Sequence, residues 1–156
     1  VTELTASLKD AFGKSAGNEA KEAGVVRCLA TVEKMGKFLH EEKNHGAHST
    51  WSRTNPDKRM FTSTIERTYS DGAEISSLIA VPTPGGCAIA YERVLYFEKN
   101  CLSLAKDTFA DFQYSGALNK FVTVLEKKSG GAAYLMSVGS GCLAVRKESI
   151  LDGEAR

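Results

Sequence analysis

The sequence predicts an α+β fold. N-terminal helices should pack on an antiparallel, meander-type sheet of about six strands, in a single two-layer domain spanning residues 1–156. Three observations predict it. Apolar residues recur at helical spacing through residues 1–45. From 59 to 150 the chain breaks into short runs of β-branched and aromatic residues, mostly strands, joined by glycine-containing turns. One stretch near 101–112 returns to helical spacing. Short turns imply antiparallel neighbours, and an amphipathic helix needs a sheet face to cover.

Each element has its own warrant. Leu4, Leu8, Ala11 and Phe12 mark a first helix behind Thr2 as N-cap, and the Gly13–Gly17 segment breaks it. Asn18 can cap a second helix whose stripe is Val25, Cys28, Leu29, Val32, Met35 and Leu39, with charged residues on the opposite side. Its end is expected near Asn44–Gly46, with Gly46 as a left-handed cap. Residues 46–59 then read as a polar connection containing the Asn55–Pro56–Asp57 turn signal. Strands are expected over 61–69, 74–81 and 87–97, the first two joined at Asp71–Gly72 and the second stopped by the Pro82–Gly86 segment. Asn100 caps the helix of 101–112, and strands follow over 121–128, 132–138 and 142–150.

Composition narrows the function classes. With 42% hydrophobic and 25% charged residues, the chain can bury a core and is not disordered. Twenty basic against 19 acidic residues, without a basic stripe, argue against a nucleic-acid partner. No run approaches the length of a membrane span. The chain opens at Val1 without methionine, which reads as a mature form with its signal peptide removed.

Cys28, Cys87, Cys101 and Cys142 are widely spaced, and no C-x-x-C pair exists. An even number of separated cysteines suits two disulfides and a periplasmic or extracellular location; the alternative is four reduced, buried thiols. A straight strand over 87–97 is about 33 Å long, too long to bring Cys87 to Cys101. Two connectivities survive. Cys28–Cys87 with Cys101–Cys142 is slightly preferred over Cys28–Cys101 with Cys87–Cys142.

Candidate sites are few. His40, His45 and His48 fall within nine residues and could hold a transition metal, but their spacing matches no helical metal motif. The plainer reading is a solvated helix end. Trp51 and Arg53, beside His48, form a candidate binding surface on the polar connection, since Trp and Arg are enriched at hot spots. The plainer reading, and the favoured one, folds Trp51 back onto the helix end as a hydrophobic cover. No G-x-S-x-G motif is present, and the Gly139–Ser140–Gly141 stretch is explained by a turn. No phosphate-binding fingerprint precedes a helix, so no cofactor is expected. The reading favours an exported binding domain with a protein or small-molecule partner over catalysis. A metal-binding protein and a small hydrolase with an unrecognised site stand as alternatives.

Overall fold

The computed structural model describes residues 13–41, 44–70 and 72–151. The expected helix of residues 4–12 and Asp71 of the first hairpin turn lie outside them. The elements in chain order are α1 (Ala16–Ala23), α2 (Leu29–His40), β1 (His45–Thr50), a 3-10 turn (Pro56–Lys58), β2 (Phe61–Thr68), β3 (Ala73–Thr83) and β4 (Gly86–Phe97). They continue with α3 (Cys101–Asp107), β5 (Gln113–Ala117), β6 (Val122–Glu126), β7 (Ala132–Val138) and β8 (Gly141–Ile150). The fold is α+β, its strands forming an antiparallel sheet in the order β1-β2-β3-β4-β8-β7-β6-β5.

Eight strands replace the six expected from sequence. The two additions, β1 and β5, lack an alternating apolar pattern and exist because a neighbour pairs with them. β1 runs antiparallel to β2 from His45↔Arg67 to Thr50↔Thr62. β5 pairs with β6 through a bulge between Tyr114 and Gly116.

The second expected helix is two helices. Ser15, not Asn18, is the N-cap of α1, its side chain accepting from the Asn18 N–H at 3.2 Å. Gly24, at φ 87°, turns the chain out of α1, a conformation that suits glycine. The turn that follows is held from a distance: Asp57 accepts from the N–H groups of Val26 (2.8 Å) and Arg27 (2.5 Å). α2 then ends at His40, and Glu41 (φ 47°) takes the left-handed cap expected at Gly46. Gly46 lies in β1 instead. Two further boundaries move. β3 runs on through Pro82, which lies beyond the β2 ladder ending at Ala80, so its missing N–H breaks no bond there. α3 stops at Asp107 rather than continuing to residue 112.

The described residues fall into two compact units, one of residues 13–91 with 150–151 and the other of 92–149. In the first, α1 and α2 pack on one face of β1, β2 and β3. Their core includes Val32, Leu39, Phe61, Ile65, Leu78 and Tyr91. Each such side chain contributes about 1.5–3 kcal/mol by leaving water. In the second, Leu104 of α3 and Phe109 pack on Leu125, Ala133, Leu135 and Ala144. Each unit contains one disulfide. Cys28–Cys87 joins the start of α2 to β4 in the first, and Cys101–Cys142 joins α3 to β8 in the second. All four cysteines are thus bonded.

Candidate functional site

The sheet face beneath α1 and α2 grades from apolar to polar along the strands. At one end lie Phe61 and Ala80, directly opposite each other and both buried. The next inward rows are Ser49–Ser63–Leu78 and Ala47–Ile65–Ser76. The last is His45–Arg67–Glu74. The polarity thus concentrates under the C-terminal end of α2.

That last row is a buried ionic network. Glu74 is fully buried. It accepts from Ser76 Oγ at 2.9 Å, Tyr69 Oη at 3.2 Å and Arg67 Nη2 at 3.2 Å. The Arg67 side chain is 5% exposed, and its Nη1 pairs with Glu41 at 2.8 Å. Its guanidinium also contacts the Tyr69 hydroxyl and lies 4.7 Å from the Tyr69 ring centroid. A buried charge must be paired and hydrogen-bonded to be tolerated, and this network supplies both. Arg67 Nε nonetheless has no acceptor among the described residues.

An open groove of about 420 Å³ lies nearby, within the volume range of small-molecule sites. Ser15 and Asn18, at the start of α1, line one side. Glu33, Lys37 and His40 of α2 line the other, and His45 completes it. Gly17 and Gly36, which also line it, lie where α1 and α2 approach closely. A Cβ on Gly17 would come within 2.8 Å of Glu33 Cγ, and one on Gly36 would meet the Ala16 Cβ at 3.5 Å. The imidazoles of His40 and His45 stack with centroids 3.8 Å apart and planes 7° from parallel. Their in-plane lone pairs therefore point side by side rather than towards one point.

The residues singled out from sequence are thus divided. His40 and His45 come together, but His48 is exposed on the opposite face of β1, because Ala47 and Ser49 on either side point inward. Among the described residues no group of three or more His, Cys, Asp or Glu side chains is placed to hold a metal ion. Trp51 lies over Phe61 (centroids 6.4 Å, planes 20° apart) and remains 38% exposed. Arg53 is exposed on the loop beyond it. Trp51 thus rests against a core residue of the helix-covered face, whereas His48 faces away from it. Ser140 occupies the β7–β8 turn, as its glycine neighbours require.

Arg67, Tyr69 and Glu74 were missed by sequence reading. The signal was present. In Phe61-x-Ser63-x-Ile65-x-Arg67 and Glu74-x-Ser76-x-Leu78-x-Ala80, a charge falls in phase with the core positions of a strand.

Among the described residues no helix is long and apolar enough to cross a membrane. The chain is an α+β protein with two disulfides, a combination that belongs to an oxidising compartment. Comparison with protein-family models, curated protein sequences and solved structures finds no match.

Proposed function

We propose that the chain is a binding domain of the periplasm or the extracellular space, and that its ligand is a small polar molecule carrying an anionic group. The observation that carries this reading is the convergence of Lys37, His40 and His45 on one open groove. Against this set stands a single lining carboxylate, Glu33, so the donors outnumber the acceptors. The start of α1 adds the positive end of a helix dipole to the same side. The Arg67–Glu74 network sits in register with His45, on the strands next to that wall of the groove, which supports a rigid wall there. A rigid wall limits the ordering that a ligand must impose on binding.

The test is a calorimetric titration of the full chain with acetate, succinate, citrate and inorganic phosphate, with zinc, copper and nickel in parallel. Saturable binding of at least one anion at millimolar or lower concentration is expected, weakened tenfold or more by Lys37→Ala and by His45→Ala. If no anion saturates by about 10 mM, or both variants bind as the parent does, the reading fails. Micromolar metal binding lost with either His40 or His45 would favour the metal alternative.

A further inference from the structure

We infer that the face of the second unit turned away from α3 is a homodimer interface, and that its occupant is a second copy of this chain. An antiparallel sheet with one covered face ordinarily alternates apolar and polar side chains. β6, β7 and β8 do not. Leu125, Ala133, Leu135, Cys142 and Ala144 point to α3. The side chains between them are apolar as well, and the register sets them in a grid. Val122, Met136 and Leu143 form one row, and Val124, Tyr134 and Val145 the next. All six are half-buried, and among the described residues of this unit no helix lies over them. Val138 and Tyr96 at the margin are 43% and 52% exposed. Gly116, in register with Val124, has nothing within 4 Å of where a Cβ would lie, so no side chain covers the grid at that position.

The third row identifies the occupant. It consists of Glu126, Ala132 and Lys147, opposite one another across the same three strands. A two-fold axis along β7 places β6 of one copy over β8 of the other. Glu126 then faces Lys147 of the second copy, and Lys147 faces Glu126 of the second copy. The same operation sets Val124 against Val145, Val122 against Leu143, and Tyr134 and Met136 against themselves. An axis across the strands would instead bury the charged row on the apolar one. Within one copy Lys147 meets Glu92 at 3.2 Å and Glu126 accepts from Ser115 Oγ at 2.7 Å, so both charges already lie on this face and gain a second partner across the axis.

The area is sufficient. Three rows along the strands and five strands across span roughly 20 by 24 Å at the ordinary spacings of a sheet. Two such faces bury about 1,000 Å² together, the threshold for a specific contact. Two identical twisted sheets pack well when aligned face to face. An interface of this size gives a reversible dimer rather than an obligate one.

Sedimentation equilibrium of the full chain from about 1 to about 200 μM tests this, a range suited to so small an interface. The mass should rise from 16.8 kDa towards twice that value. Tyr134→Glu sets two like charges against each other on the axis and should hold the chain at the monomer mass throughout. Lys147→Glu should weaken association at least tenfold, and adding Glu126→Lys to it should restore association, an outcome that a merely misfolded variant cannot give. A wild-type chain that stays at 16.8 kDa over the whole range overturns the proposal. So does a dimer indifferent to Tyr134→Glu, or a charge exchange that restores nothing.

Discussion

Replacing both Cys28 and Cys87 with alanine should lower the unfolding free energy by about 4 kcal/mol. The two residues are 59 apart in sequence, so the bond closes a long loop in the unfolded chain. The chain-entropy relation gives about 4.2 kcal/mol for that loop at 25 °C, and about 3.9 kcal/mol for the 41-residue separation of Cys101 and Cys142. The difference, about 0.3 kcal/mol, is too small to rank the two bonds. The Cα–Cα distances, 5.1 and 5.0 Å, lie within the ordinary range for disulfides. Cys28 is also 2% exposed, so losing its sulfur leaves a small void worth on the order of half a kcal/mol. Native disulfides typically contribute 2–4 kcal/mol, so a measured loss below about 2 would already be low. The assay is urea unfolding followed by the fluorescence of Trp51, the chain's one tryptophan, which lies over the core residue Phe61 of the same unit. The m-value should rise, because an uncrosslinked unfolded chain exposes more surface. A double-alanine protein within about 1 kcal/mol of the parent, at an unchanged m-value, would refute the claim that this bond staples the unit.

Three other outcomes follow from particular contacts. Glu74→Gln should cost about 3 kcal/mol, because it leaves the Arg67 charge buried with Glu41 as its remaining carboxylate partner among the described residues; chemical denaturation measures it. Gly141→Ala should cost about 1–3 kcal/mol, since a Cβ there collides with the Tyr96 hydroxyl and the Phe97 carbonyl, whereas Gly72→Ala meets nothing within 4 Å and should be nearly silent. The carboxyl of Asp57 is held below its ordinary value of 3.8 by the backbone N–H groups of Arg27 and then Val26, and that of Asp111 by its hydrogen bond to the Lys127 side chain. Carboxyls lowered on folding stabilise the protein above the ordinary value and lose that contribution as pH falls through the folded one. Stability should therefore decline below about pH 4, and Asp57→Ala should flatten the decline; a pH series of urea midpoints decides it.

The parts legible in the sequence are those where local pattern and tertiary demand agree. The Val32–Met35–Leu39 stripe is the buried face of α2, and Asn100 caps α3 by accepting from the Ser103 N–H at 2.9 Å. β7 and β8 carry enough apolar residues between glycine turns to be placed within a residue. The failures share a cause, because in each a distant partner decides. β1, His45–Thr50, is polar and becomes a strand because β2 presents a ladder to it. The turn after Gly24 is fixed by Asp57, some 30 residues away, which no local window contains. The candidate site was half legible: the histidines stood out by type, but their stacking depends on α2 ending at His40 and the chain returning as β1. The ionic row beneath them was hidden by treating charges as solvent-facing by default.

The two units solve the same packing problem differently, and the contrast bears on where function lies. Beneath α3 the buried layer is apolar, with Leu125, Leu135 and Ala144 meeting Leu104, while Ser137 and Arg146 on the same face stay partly open to water. Beneath α2 the equivalent layer carries Ser63, Ser76, Arg67 and Glu74, all nearly inaccessible to water. Apolar side chains of similar volume in place of a buried ion pair are often neutral or stabilising, so folding alone does not call for this row. Its position supplies the missing reason. Arg67 lies directly across from His45, and His45 lines the groove. A network of fixed dipoles beside a binding surface is worth its desolvation when it orients the groups that meet a ligand. An Arg67→Met, Glu74→Leu double substitution separates these roles. It should leave the unit folded with stability within about 1–2 kcal/mol of the parent or above it, while anion binding in the groove falls tenfold or more. Retained binding in that variant would show the row to be a structural inheritance with no part in the site.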